Sequence, residues 1–239
     1  MPQDWFARQA LLEGVPSAVA AARDGVDALL QDRGLRRTTP ELTAESLLRG
    51  AAASAELEGS ESTLEDLRDG GGDLLAMGAA RLSAELLSLV PVITRSPLQA
   101  LARMHTLAAT GLVEPDLLGR PSAGEGVAGQ LQQLSQRLVA PTEAPAVAVA
   151  TIAHAEMATL VPFEGANGLV ARGLERLILV SRGVDPTSMT VPEAGHLSMS
   201  AGYRAGLEAY ASGSWEGRRT WLTHATSAVA AGATMSPLH

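Results

Sequence analysis

Val161-Pro162-Phe163-Glu164-Gly165-Ala166-Asn167-Gly168-Leu169-Val170-Ala171-Arg172 joins two helices of unlike character. Pro162 to Gly168 makes a compact loop. Before it, Ala146 to Leu160 is apolar and Ala-rich, a helix suited to the middle of a bundle. After it, Leu169 to Arg182 has Leu174, Leu177 and Ile178 at helical spacing, pointing inward.

Outward from this pair the chain reads as helices throughout. Ala and Leu are strong helix formers, and aromatic residues make up only 3% of the chain. Val127 to Val139 and Pro97 to Thr110 are helical, the latter carrying Met104 and His105. Leu74 to Leu89 is a helix that ends near Pro91. Residues 111 to 127 are a Gly- and Pro-rich loop, and residues 183 to 196 a Pro-containing connector. A last pair covers Ser198 to Ala211 and Arg218 to Ala231. Residues 1 to 33 hold one or two helices, and Gly34 to Thr39 is a basic turn containing Arg36 and Arg37. The expected architecture is an all-α bundle, with residues 1–39 a helical extension and 40–239 the main domain.

Thr39-Pro40-Glu41 reads as a helix start with Pro at the first helical position. The helix runs from Leu42 to Glu58, and Gly59 caps it. Leu47, Ala51, Ser54 and Glu58 share one face. A carboxylate on that face either finds a cationic or hydrogen-bonding partner or lies at a solvated edge.

Composition excludes several chemistries. All 18 cationic residues are Arg, so no lysine nucleophile, Schiff base or P-loop lysine exists. There is no Cys, which removes thiolate catalysis and zinc–sulfur sites. Net charge is −8, against general nucleic-acid binding. Met1 to Arg23 lacks the pattern of a signal peptide, and Ala144 to Ala153 is about half a membrane span. A cytoplasmic protein is expected. His105, His196 and His224 show no metal-ligand spacing, and no metal site is expected. Gly70-Gly71-Gly72 is a turn. Pro192-Glu193-Ala194-Gly195-His196 reads as a loop.

The quoted stretch resembles the Fic (Fido) signature H-P-F-x-D/E-G-N-G-R-x-x-R. It follows Ala153-His154-Ala155-Glu156-Met157, as in that family. Ser54-Ala55-Glu56-Leu57-Glu58-Gly59 is similar to the family's inhibitory-helix pattern S/T-x-x-x-E-G/N. Tyr203, Tyr210, Trp215 and Trp221 fall in a region like its closing helices. The likeness covers roughly residues 40 to 235. It implies a loop whose backbone N–H groups face nucleotide phosphates at a helix N-terminus. It also implies a histidine base, an acidic Mg²⁺ ligand, two arginines on the phosphates, and transfer of AMP to a protein hydroxyl. The inhibitory glutamate salt-bridges the second arginine.

This chain departs from the signature at the reactive positions. Val161 stands for the base, Gly165 for the acid, Ala166 for a glycine and Leu169 for the first arginine. Pro162, Phe163, Asn167, Gly168 and Arg172 remain. Sliding the alignment by one puts Glu164 in the acidic role but restores no base. His154 lies two helical turns before Val161, about 10 Å along the axis, beyond the reach of general-base catalysis. The strand-like flap that aligns targets corresponds to Arg120 to Gly129, which has almost no β-formers, so a reduced or absent flap is expected.

The resemblance therefore implies a degenerate Fic-fold protein with no catalytic residues. Its vestigial phosphate-binding residues are Glu164, Gly165, Ala166, Asn167, Gly168 and Arg172, and its inhibitory pair is Glu58 and Arg172. A protein-interaction or regulatory module is expected, with a protein partner or a second copy of the chain, and neither nucleic acid nor membrane. No resident cofactor is expected, and ATP or Mg²⁺ would bind only through residual affinity. The alternatives are a nucleotide- or phosphate-binding protein, or an AMP transferase with altered chemistry.

Overall fold

The computed structural model describes residues 4–31 and 38–238. Arg36 and Arg37 of the expected basic turn lie outside them. The helices are α1 (Trp5–Ala10), α2 (Val15–Leu29), α3 (Pro40–Leu57), α4 (Leu64–Arg68), α5 (Leu74–Leu86), α6 (Val90–Ile93), α7 (Pro97–Ala109), α8 (Val127–Val139), α9 (Ala146–Leu160), α10 (Asn167–Ser181), α11 (Pro192–Ser198), α12 (Ser200–Ala211) and α13 (Trp215–Thr234). No strand occurs among the described residues, where a single bridge joins Thr110 and Val113. The fold is all-α, and turns lead from Arg120 into α8 where a flap would stand.

The helix starts follow local chemistry. Asp4, Thr39, Asp73 and Ser214 each accept a hydrogen bond from a first-turn N–H of the following helix. Thr63 and Asp66 close a reciprocal capping box ahead of α4. Glu58 is the C-cap of α3, and Gly59 follows at φ +95°.

Two of the differences from the sequence reading have clear physical reasons. Pro91 does not end α5: a 3₁₀ turn at Leu87–Leu89 leads into α6, where Pro91 sits in the first turn and needs no N–H bond. The supposed connector 183–196 overlaps α11, which starts at Pro192. The Asp185 carboxylate accepts N–H bonds from Met189 and Thr190, folding the chain back so that Pro192 can start a helix.

The hairpin of α9 and α10 is the centre of the bundle. Val147 through Ala155 are all buried, as are Leu169 through Leu179. Small side chains let neighbours approach on every side of α9. Around this hairpin, α3 packs on α5 and α11, and α13 packs on α2, α11 and α12. The run Leu74–Ile93 is long and apolar enough to cross a membrane by composition alone. Its Leu82, Leu86, Leu89 and Ile93 face the core.

The crossing of α11 and α13 depends on missing side chains. A Cβ on Gly195 would collide with the Ala228 carbonyl, and one on Gly232 would lie 2.7 Å from the Val191 carbonyl carbon. Gly195→Ala should therefore destabilise the protein by about 1–3 kcal/mol. An unchanged thermal melt would show that α11 is not seated this closely.

Candidate functional site

The loop between α9 and α10 is held by its own side chains. Val161 ends α9 in the left-handed region at φ 47°, a strained conformation for a β-branched residue. Gly165 and Ala166 follow at φ 68° and 54°. Asn167 clasps the loop: its Oδ1 accepts the Phe163 N–H at 3.0 Å, and its Nδ2 donates to the carbonyls of Phe163 at 2.7 Å and Gly165 at 3.3 Å.

His105 on α7 supports the same loop from beneath. Its ring stacks on Phe163 at 4.4 Å between centroids. Nδ1 accepts the Gly119 N–H at 2.9 Å, so Nε2 carries the proton and donates to the Glu164 carbonyl at 3.0 Å. Burial pushes its pKa down and keeps it neutral.

These contacts leave the N–H groups of Gly165, Ala166, Asn167 and Gly168 without an acceptor among the described residues. They lie at the N-terminus of the 15-residue α10, an arrangement that suits an anion. Glu164 is exposed, and its side chain makes no hydrogen bond in the described structure.

Arg172 lies one turn into α10 and is 1% exposed. Its Nε donates to Ser54 Oγ at 2.7 Å, and Nη1 donates to Tyr203 Oη at 2.8 Å. Nη2 donates to the Ser54 carbonyl at 3.0 Å and to Glu58 Oε1 at 2.8 Å. The Glu58 side chain is 30% exposed and leans over Gly168, where a Cβ would collide with its carboxylate. Glu58 thus fills the space between the loop and the guanidinium.

One turn on, Arg176 forms a second buried pair. Its Nε and Nη2 grip Glu193 at 2.9 and 2.7 Å, and Nη1 donates to Ser46 and Ser188. The face of α3 that meets both arginines is Ser46, Gly50, Ser54 and Glu58. Gly50 is required there, because a Cβ would lie 2.7 Å from Arg176 Nη2. Glu193 and His196, expected on a loop, are helical and buried.

Behind Arg172 runs a chain of buried groups that sequence spacing did not reveal. Tyr203 O–H donates to His154 Nε2 at 3.1 Å. His154 Nδ1 bonds Glu175 Oε2, and His196 Nε2 bonds the same oxygen at 2.9 Å. His196 Nδ1 meets His224 Nε2 at 3.4 Å. Burial pulls His154 down to about 4, against the pull of Glu175, so the ring is neutral at pH 7. Burial alone would raise the Glu175 carboxyl, but the two imidazoles outweigh it and keep the group ionised. Both nitrogens of His154 are engaged and the ring is sealed from solvent, so it is no substitute base.

Neither a protein-family model nor a curated protein matches the chain by sequence. Solved structures do match. A Fic family protein from Desulfovibrio desulfuricans G20 superposes with a TM-score of 0.74 at 19% identity, covering 91% of this chain and 73% of that one. Fic-1 from C. elegans superposes at 0.67, also 19% identical, covering 91% and 71%. The chain has the Fic fold. Val161, at the loop's edge, has 54% of its surface exposed.

Proposed function

We propose that the chain is a Fic-fold protein that does not transfer nucleotides and works as a regulatory or protein-interaction module, with its phosphate cleft held shut. What carries the reading is Val161, where the resemblance to the signature puts the base: an isopropyl group cannot accept the proton of a target hydroxyl. Positioned base catalysis is worth about 10²–10⁴-fold, so its loss alone brings transfer near background.

The implied Mg²⁺ does not fit these residues. The signature's acidic position is Gly165, which offers no carboxylate, and the exposed Glu164 beside it has no contact that holds its carboxylate against the loop. A phosphate group fits better, because four backbone N–H groups await an acceptor at a helix N-terminus. That favours one second reading, an anion sensor that binds without turnover and displaces Glu58.

Incubation with labelled ATP, Mg²⁺ and candidate acceptor proteins should give no covalent incorporation. Reproducible nucleotide attachment to a hydroxyl would overturn the proposal. A thermal-shift series with ATP and with inorganic phosphate separates the readings: a saturable rise supports the sensor, and no shift supports the scaffold.

A further inference from the structure

The buried cluster behind the cleft has the composition of a metal centre. His154 Nδ1 on α9, Glu175 Oε2 on α10 and His196 Nε2 on α11 lie within 4.8 Å of one another. All three residues are buried. Each imidazole has a partner for its second nitrogen, Tyr203 Oη for His154 and His224 Nε2 for His196. Metal-bound histidines have such partners, which fix the tautomer and the ring plane.

Glu175 supplies the second observation. Its Oε1 is buried and has no hydrogen-bond partner. No arginine bonds this carboxylate, because Arg172 is directed to Glu58 and Arg176 to Glu193. An interior carboxylate with one oxygen unsatisfied and no bonded cation is costly. A cation between the three side chains would remove both deficits, with Oε1 as a fourth donor.

We propose that His154, Glu175 and His196 form a binding site for a zinc-type divalent cation. Two imidazoles and a carboxylate suit zinc or a neighbouring first-row metal, whereas Mg²⁺ and Ca²⁺ prefer all-oxygen sites. The site is sealed and offers no open position, which makes it structural rather than catalytic. The ion would tie α9, α10 and α11 together at one point. On loading, the ring protons move to His154 Nε2 and His196 Nδ1, where Tyr203 Oη and His224 Nε2 stand ready to accept them.

The test uses the full chain, with zinc and cobalt salts as probes. Elemental analysis after desalting, and zinc titration against a chromophoric chelator, should give one ion per chain. Cobalt should give the visible bands of four-coordinate nitrogen–oxygen ligation. His196→Gln should weaken zinc binding at least tenfold, and His224→Gln, which alters only the outer partner, about tenfold. His105→Gln, at the loop, should leave it unchanged. If His196→Gln does not fold, the wild-type cobalt spectrum and the histidine ¹⁵N tautomer shifts on zinc addition decide the matter. Absence of stoichiometric zinc or cobalt from the wild-type protein, or unchanged affinity in His196→Gln, overturns the site.

Discussion

Arg172→Ala should lower the unfolding free energy by about 3–5 kcal/mol, while Glu58→Ala should change it by about 1 kcal/mol or less. The two residues share one ion pair, yet their surroundings differ. Arg172 is 1% exposed and bonds the Ser54 hydroxyl, the Ser54 carbonyl and the Tyr203 hydroxyl as well as Glu58. Its removal leaves a void and a buried carbonyl without a donor. Glu58 keeps 30% of its side chain in water and can turn outward when its partner is lost. The family pattern alone suggests that an unpaired glutamate makes Arg172→Ala damaging. The geometry shifts the cost to Ser54 and Tyr203. In a chain of this size a loss of this order moves the melting temperature by roughly 10 °C. Urea denaturation of both variants checks the asymmetry, and an equal loss in each would place the anchor in the ion pair itself.

Rebuilding the signature should restore transfer chemistry. The variant combines Val161→His, Gly165→Asp, Ala166→Gly and Glu58→Ala. An imidazole at 161 returns a proton acceptor worth about 10²–10⁴-fold over the parent chain. Asp at 165 returns a metal ligand, and Asp tolerates the left-handed backbone found there at φ 68°. Gly at 166 relieves Ala166 of φ 54°. Removing the Glu58 carboxylate vacates the space over Gly168. Leu169 is left alone, because it is 1% exposed and an arginine there would bury a charge. The readout is incorporation of labelled nucleotide, by the protein into itself or into an added acceptor. A rebuilt protein that folds and stays at the parent's level would mean that the loop is not a relic of a transfer site.

The bundle was legible because its central helices differ so clearly from the loop between them. Ala146–Leu160 and the leucines of α10 announce burial on all sides, and Thr39-Pro40 and Gly59 punctuate α3. The pairing of Glu58 with Arg172 was readable only through the family pattern, since spacing alone left Glu58 either partnered or at a solvated edge. The role of Asn167 was not readable. Its amide shapes the loop, and a sequence cannot tell a loop clasp from a phosphate ligand. Helix α11 was missed because its start depends on the Asp185 turn and on the Gly195–Ala228 approach, both tertiary. The histidine–glutamate cluster was invisible for a related reason. Its members lie 21 residues apart in each step, on three helices, and meet only through packing.

The small-residue face of α3 would set the tempo of anion entry in the sensor reading. Ser46, Gly50 and Ser54 are locked against Arg172 and Arg176, and Leu47, Ala51 and Ala55 are buried on the same helix. The helix is thus a fixed post, and only the Glu58 side chain at its tip is at liberty. Rotamer changes of exposed side chains take picoseconds to nanoseconds, whereas collective shifts of packed helices take microseconds or longer. In the sensor reading, entry of an anion would be governed by the Boltzmann weight of one residue's χ angles, and its association kinetics should contain no slow, concentration-independent phase.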